Sequence, residues 1–401
     1  MDRRLLPRPL PAHLASAMML WASSRAALPS LSAGLPLWNP SPELRALAAE
    51  IARAASAEVA AALDRELLHR ADAFLAGLEA YRRHSYRRDE TQASVLWQEG
   101  TTRLLDYGGG KGGKPVLIVP SLINRYYILD LLPERSFATF LREAGLRPLV
   151  VDWGAPGDTE RGFGLDDYIA GRLDRAASAA LAKAGRPTAV IGYCMGGLLA
   201  LALALRRQGD IAGLALLATP WDFHAERPEQ ARLIGTAIDL AAAGGDTLPL
   251  SVIQGLFLSL DPFLGERKFA RFSQLDPAGE AARGFVALED WLNDGVLLAS
   301  PVARECGLSW YRDNEPGQGK WRVAGRPVDP GQFDRPALVV VPRRDRIVPP
   351  RSAEALAAAL PNVTIMRPAL GHIGMMTGAG APEAVWKPIA EWLRSTASRT
   401  R

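Results

Sequence analysis

Seven residues, Ile191-Gly192-Tyr193-Cys194-Met195-Gly196-Gly197, constrain this chain more than any other stretch. They join an apolar run, residues 188–193, that reads as a strand to a small-residue run, residues 196–205, that reads as a helix. A strand-to-helix turn this sharp crowds the backbone, so glycine is needed two residues before the central Cys194 and two after it. The turn is predicted to lift Cys194 to the top of a sheet, beside the free N–H groups of a helix start. Most elbows of this kind carry serine. A thiol in its place narrows the chemistry towards acyl groups that arrive as thioesters.

The rest of the chain supplies a sheet for such an elbow. From about residue 95, short β-branched apolar runs alternate with helical segments: residues 115–120, 148–153, 188–193, 211–218, 337–341 and 363–366. That alternation predicts an α/β fold, a mostly parallel sheet with helices on both faces. Between Trp221 and about Phe333 the strand signals stop, which predicts a helical cap inserted over the carboxyl edge of the sheet. Ahead of the sheet, Ser41 can cap a helix and Pro42 suits its first position. Leu44, Leu47, Ile51, Ala55, Val59, Leu63, Leu67, Ala71, Phe74 and Leu78 keep a spacing near three and four, so residues 41–84 read as one long helix broken at most once. The stripe must bury against the catalytic domain, another helix or a second subunit, with core packing favoured. Residues 1–40, rich in proline, leucine and alanine and holding Trp21 and Trp38, read as irregular or as a short amphipathic segment. The expected segments are therefore an N-terminal helical extension (1–94), a first part of the core with the elbow (95–220), the cap (221–333) and a second part of the core (334–401).

Composition removes several classes of function. A net charge of +4 on 401 residues comes from scattered Arg and Lys. Without a basic stripe interleaved with aromatics, nucleic acid is not an expected partner. Two cysteines, Cys194 and Cys306, are too few for a disulfide scaffold and suit a reducing compartment, with Cys306 as a small buried residue. No zinc spacing is present, and no metal is expected. Arg3, Arg4 and Arg8 before the apolar residues 10–22 loosely imitate a secretion leader, but Pro11, His13 and Arg25 weaken it. No run approaches 18 apolar residues, so no membrane span is expected and the cytoplasm is the expected location. The run Gly108-Gly109-Gly110-Lys111-Gly112-Gly113-Lys114 imitates a phosphate loop, yet Pro115 stands where Ser or Thr should bind magnesium, and the loop precedes a strand instead of following one.

A cysteine nucleophile needs a base, and the base needs an orienting group. In elbow folds the chain order is nucleophile, acid, histidine. Of five histidines, His13, His69 and His84 lie upstream of the elbow, and His224 lies just past a strand end. His372 follows the last strand within Gly371-His372-Ile373-Gly374 and is the expected base. Asp345 lies on the loop immediately beyond residues 337–341 and is the expected acid. The bland alternative is an ordinary turn aspartate paired with Arg343, Arg344 or Arg346. Oxyanion donors are expected from the N–H of Met195, the residue after the nucleophile, and from the loop Ser121-Leu122-Ile123-Asn124, with Ile123 as the named choice.

Together these residues resemble the poly(3-hydroxyalkanoate) synthases. The likeness runs through residues 120–131, beginning Pro120-Ser121-Leu122-Ile123-Asn124-Arg125-Tyr126-Tyr127, then Val151-Asp152-Trp153-Gly154 and Leu165-Asp166-Asp167-Tyr168-Ile169. It continues in the elbow, Trp310-Tyr311-Arg312-Asp313-Asn314, Asp345-Arg346-Ile347-Val348-Pro349-Pro350 and Gly371-His372-Ile373-Gly374, and so covers roughly residues 95 to 395. The resemblance implies an α/β-hydrolase core under a cap and a Cys–His–Asp triad. It further implies 3-hydroxyacyl-coenzyme A substrates and a polyester product gathered in granules. Cys194 would be acylated, His372 would be the general base and Asp345 its partner. No cofactor is called for, because coenzyme A arrives on the substrate and is released. Size and the context of residues 371–373 are most like the shorter synthases, whose catalytic subunit works with a helical partner subunit; a homodimer also stays open. Two other functions remain at this point: a thioesterase or polyester depolymerase of the same fold, and a non-catalytic protein at the granule surface, favoured by the hydrophobic first 40 residues and the long helix.

Overall fold

The computed structural model describes residue 4 and residues 6–33, 41–54, 56–89, 93–109 and 113–396. Trp38 and the central Gly110, Lys111 and Gly112 of the glycine-rich loop lie outside the described residues. The chain divides into two compact units. One comprises Met1–Arg87 with Phe257–Glu289, the other Arg88–Leu256 with Asp290–Arg401. The segments expected from sequence are contiguous, but the structure groups the centre of the insertion with the N-terminal extension.

The second unit is built on one eight-stranded sheet: β1 (Ser94–Glu99), β2 (Thr102–Asp106), β3 (Lys114–Val119), β4 (Leu146–Asp152), β5 (Thr188–Tyr193), β6 (Ile211–Leu217), β7 (Ala337–Val340) and β8 (Val363–Met366). Their spatial order is β1-β2-β4-β3-β5-β6-β7-β8. β3 to β8 are parallel, while β1 and β2 form an antiparallel edge. All six runs read as strands in the sequence appear. They are legible because strands covered on both faces are continuous hydrophobic runs. β5 and β6 are buried at every position, and each fully buried aliphatic side chain contributes roughly 1.5–3 kcal/mol. The insertion between β6 and β7 is mainly helical, with helices at Pro228–Ala242, Leu250–Leu260, Leu264–Phe272, Glu280–Asn293 and Ser300–Glu305. Two short two-stranded ladders accompany them, Thr247–Leu248 with Leu298–Ala299 and Arg322–Val323 with Arg326–Pro327.

The first unit holds three successive helices, Leu10–Ser32, Pro42–Arg53 and Ser56–Arg83. Ser41 caps the second by accepting from the Leu44 amide. Thus the region read as one helix broken at most once is two helices, and residues 10–32, read as irregular or as a short amphipathic segment, are one helix of 23 residues. The apolar stripe buries gradually along its length. Leu44 and Leu47 remain 50% and 51% exposed, whereas Phe74, Leu78 and Tyr81 join Phe269, Phe272 and Val286 in a core. Phe269 meets Tyr81 edge-on at a ring distance of 5.7 Å, and Phe272 stacks on Phe285 at 4.3 Å. Of the three surfaces the stripe was expected to cover, it is another helix, Leu264–Phe272 of the insertion, that takes its C-terminal end. A Cβ on Gly77 would run into the Phe269 carbonyl, which is why the helices approach closely at that position.

The elbow between β5 and the helix Met195–Arg206 explains its glycines by packing. Among these residues it is Cys194 itself, at φ 55° and ψ −128°, that carries the left-handed backbone. A side chain there costs of the order of 1–3 kcal/mol. A Cβ on Gly192 would meet the Cα of Gly197, and one on Gly197 would meet the Thr219 hydroxyl. One on Gly196 would meet the Val119 and Pro120 carbonyl oxygens at the end of β3. Alanine in a helix is ordinarily about 1 kcal/mol better than glycine. At Gly196 the obstacle is backbone that cannot swing away, and overpacking costs typically ~1–3 kcal/mol. Gly196→Ala is therefore expected to lower the urea midpoint of unfolding. A midpoint at or above that of the parent would contradict this packing account.

Candidate active site

Three strand ends deliver the expected residues to one place. The parallel register β7–β8 pairs Val340 with Met366, and the pairing continues past both strands. The amide of Val341 donates to Met366 O at 2.8 Å, that of Arg343 to Pro368 O at 2.9 Å, and that of Arg344 to Leu370 O at 3.0 Å. Two loops zipped together in this way bring Asp345 beside His372. On the other side, the Cys194 amide donates to Leu217 O at 2.8 Å and the Ala218 amide to Val340 O at 2.9 Å, which ties the elbow to the same sheet edge.

Asp345 and His372 are both buried, and Cys194 is half-buried. His372 Nδ1 lies 2.7 Å from Asp345 Oδ2. Asp345 Oδ1 accepts the Ile347 and Val348 amides at 2.8 and 2.9 Å. These are the partners of Asp345 in place of the turn aspartate's neighbouring arginines. On its other side His372 is near enough to Cys194 for that side chain to raise its pKa. Its main-chain carbonyl accepts the Tyr193 hydroxyl at 3.2 Å, and the two rings lie 5.3 Å apart. Tyr193 was not singled out in the sequence. Its position, last in the strand and next to the nucleophile, is the signal that could have found it.

Electrostatics follow from this geometry. Burial alone would lower the His372 pKa. The charge of a Cys194 thiolate, the hydrogen bonds to Asp345 and Cys194, and the Asp345 charge outweigh burial and push it up to about 10. An imidazole in that condition favours the protonated form. A folded pKa raised above the ordinary 6.5 contributes stability that is fully present below pH 6.5 and is lost as pH rises through about 10. Cys194→Ala removes both contributions of the sulfur. The His372 midpoint, followed by NMR, is expected to fall well below that of the parent, and an unchanged midpoint would contradict the pairing.

The other expected donors and histidines separate clearly. The Met195 amide opens the buried helix Met195–Arg206, where no acceptor exists one turn earlier. The Ile123 amide points to its own loop, donating to Ser121 Oγ at 3.3 Å. This bond is long for an amide donor. His224 Nε2 lies 2.9 Å from Tyr311 O, and His84 Nε2 lies 2.9 Å from Pro277 O. Cys306 is buried, free of any disulfide, and its thiol pKa is raised well above the ordinary value by burial. Among the described residues no His, Cys, Asp and Glu cluster could hold a metal ion, and no helix is long and apolar enough to cross a membrane.

A buried imidazole between a carboxylate and a thiol, at the carboxyl edge of a parallel sheet, is an arrangement for acyl transfer. The sheet order and the elbow define an α/β hydrolase, and a family described as "alpha/beta hydrolase fold" matches residues 114–379. The solved structure of a non-heme bromoperoxidase from Mycobacterium tuberculosis shares this fold, with a TM-score of 0.50 and 18% identity over 78% of this chain and 99% of that one. Within that fold the chain belongs to the poly(3-hydroxyalkanoate) polymerase family, whose curated members are enzymes of the acyltransferase type. It is 30% identical to the poly(3-hydroxyalkanoate) polymerase subunit of Synechocystis over 70% of this chain and 77% of that one. It is 27% identical to that of Haloferax mediterranei over 76% of this chain and 64% of that one.

Proposed function

We propose that this protein polymerises 3-hydroxyacyl groups delivered as coenzyme A thioesters, through a covalent thioester on Cys194. The observation that carries the reading is the buried His372–Asp345 hydrogen bond at the sheet edge that also carries the Cys194 elbow. It is supported by the named function of the relatives. The Cys194 thiolate attacks the thioester carbonyl. The oxyanion of the tetrahedral intermediate is held by the Met195 amide and by the Ile123 amide, whose long bond to Ser121 is readily exchanged. Collapse expels coenzyme A thiolate, which takes the proton from His372. His372, now neutral, accepts the proton of the 3-hydroxyl of the next 3-hydroxyacyl-coenzyme A. The oxygen attacks the acyl group on Cys194, forming an ester and returning thiolate and imidazolium. The lengthened chain, now on coenzyme A, passes back to Cys194.

Exchange between two thioesters is nearly isoenergetic, so the acyl group remains activated for its second transfer. A serine ester would lie lower and hold the chain. Water reaching the acyl-enzyme would make the protein a hydrolase, so exclusion of water decides the outcome. The proposed product is insoluble, so the working enzyme would sit at a polymer surface. The apolar side chains exposed on the first unit, Met18, Met19, Leu44, Leu47 and Leu68, suit a granule or a helical partner subunit. Incubation with 3-hydroxybutyryl-coenzyme A is expected to release thiol and form insoluble polyester. Release of thiol with only soluble 3-hydroxybutyrate would assign a thioesterase instead.

A further inference from the structure

The loop proposed to hold the second oxyanion donor is irregular: its start is held by buried Ser121 and Leu122 and by the Trp153 indole, which donates to Pro120 O at 3.0 Å. Its one internal side-chain bond is the long one from the Ile123 amide to Ser121. What holds its far end comes from much later in the chain, at the point where the insertion returns. Trp291 Nε1 donates to the Arg125 carbonyl at 2.8 Å. The Tyr127 hydroxyl donates to Asp294 Oδ2 at 2.9 Å, and Arg125 Nε lies 3.5 Å from Asp294 Oδ1. Tyr127 is buried, and the Arg88 guanidinium lies 4.3 Å from its ring centre. Arg88 in turn reaches Asp130 at 3.9 Å, a carboxylate that also accepts the Tyr107 hydroxyl at 2.7 Å. Burial, and then the nearby Asp294, raise the Tyr127 pKa far above its ordinary value, so the phenol remains a donor at every working pH.

We infer that Tyr127 and Asp294 form a clasp that positions the oxyanion-binding loop, residues 121–125, and thereby sets the rate of acyl transfer to Cys194. The inference rests on the function proposed above. Both residues act through the Ile123 amide and are positioning residues. Trp291 bonds the Arg125 carbonyl at the end of the loop, and Asp294 bonds the Tyr127 hydroxyl just beyond it and faces Arg125 Nε. With those two points fixed, the Ile123 amide lies on a short tethered segment. Displacement of an oxyanion donor by less than its outright loss should cost less than the roughly 10²–10³ in rate that such a loss costs. Asp294 is half-exposed, so its bond to the phenol is partly screened by water. We therefore expect each single variant to slow acylation by roughly tenfold to a hundredfold.

Tyr127→Phe and Asp294→Ala each remove the bond, and Phe keeps the ring under Arg88. Three measurements on the full chain separate positioning from general damage. Hydrogen exchange of amides 121–125 should speed up in both variants. Release of coenzyme A from 3-hydroxybutyryl-coenzyme A should slow. Alkylation of Cys194 by iodoacetamide, which passes through no oxyanion, should proceed at the parent rate. The double variant should be no slower than Asp294→Ala alone, because the bond from the phenol is already absent there. Unchanged exchange at 121–125, or alkylation that falls together with coenzyme A release, would overturn the clasp. A parent protein that releases no coenzyme A would sink the proposed function instead, and exchange at residues 121–125 then decides the clasp by itself.

Discussion

Cys194→Ala is expected to lower release of coenzyme A from 3-hydroxybutyryl-coenzyme A by about 10⁴-fold or more, and to abolish polymer. Every step of the proposed cycle forms or breaks a bond to that sulfur. His372 and Asp345 have no other acyl acceptor to serve, so removing the nucleophile should cost as much as removing the whole group. What survives is the contribution of the Met195 and Ile123 amides and of substrate binding, which in triad enzymes leaves a residual of about 10³–10⁴ over water. The backbone at this position is left-handed and alanine is no better suited to it than cysteine, so the fold should survive, with a loss of stability that follows the lowered His372 pKa. Coenzyme A release at the parent rate from a folded Cys194→Ala protein would remove Cys194 from the chemistry.

Asp345→Asn is expected to leave the fold intact and lower coenzyme A release by about 10²–10⁴-fold, the scale of the corresponding change in serine triads. The carboxylate has two jobs. Oδ1 accepts the Ile347 and Val348 amides, and Oδ2 lies against His372 Nδ1. Asparagine can keep the first by leaving its oxygen on the two amides. Its NH₂ group then faces Nδ1, which must become an acceptor. The ring proton moves to the nitrogen facing Cys194, where it can no longer accept the proton of a thiol. The variant also loses a charge that helps hold His372 protonated, so its titration midpoint should fall from about 10. Kinetics in 3-hydroxybutyryl-coenzyme A, beside a thermal unfolding curve, check both statements. Activity within a factor of about three of the parent would return Asp345 to the role of an ordinary turn residue.

The parallel sheet was legible because its inner strands are apolar on both faces, as β5 and β6 show at every position. The edge hairpin was not: its apolar runs, Val95-Leu96-Trp97 and Leu104-Leu105, are short and flanked by polar residues, and Val95 is exposed. The helix Leu10–Ser32 was hidden by prolines. Pro11 sits in the first turn, where a missing N–H costs nothing, and Pro29 lies within the last turns. The pairing of Ser56–Arg83 with Leu264–Phe272 joins segments some 200 residues apart, and periodicity shows that a stripe needs a cover without showing which one.

The site divides in the same way. Cys194, His372 and Asp345 could be read because elbow folds order their residues along the chain and because few histidines competed. Tyr193, Tyr127 and Asp294 could not, because their roles depend on which main-chain carbonyl or side chain stands opposite them. The elbow glycines were read as relief for a crowded turn. In the structure that relief is room for neighbouring backbone and for Thr219, while the unusual backbone angle falls on the cysteine.

The central claim is that the acyl chain is carried on the sulfur of Cys194. The most direct test is to mix the protein with 3-hydroxybutyryl-coenzyme A, quench with acid within one turnover, digest, and weigh the peptide that contains Cys194. The account predicts that this peptide gains the mass of one or more 3-hydroxybutyryl units, that hydroxylamine removes them, and that Cys194→Ala gains none. Polymer formation with an unmodified Cys194 peptide, or with the acyl group on another residue, would contradict it.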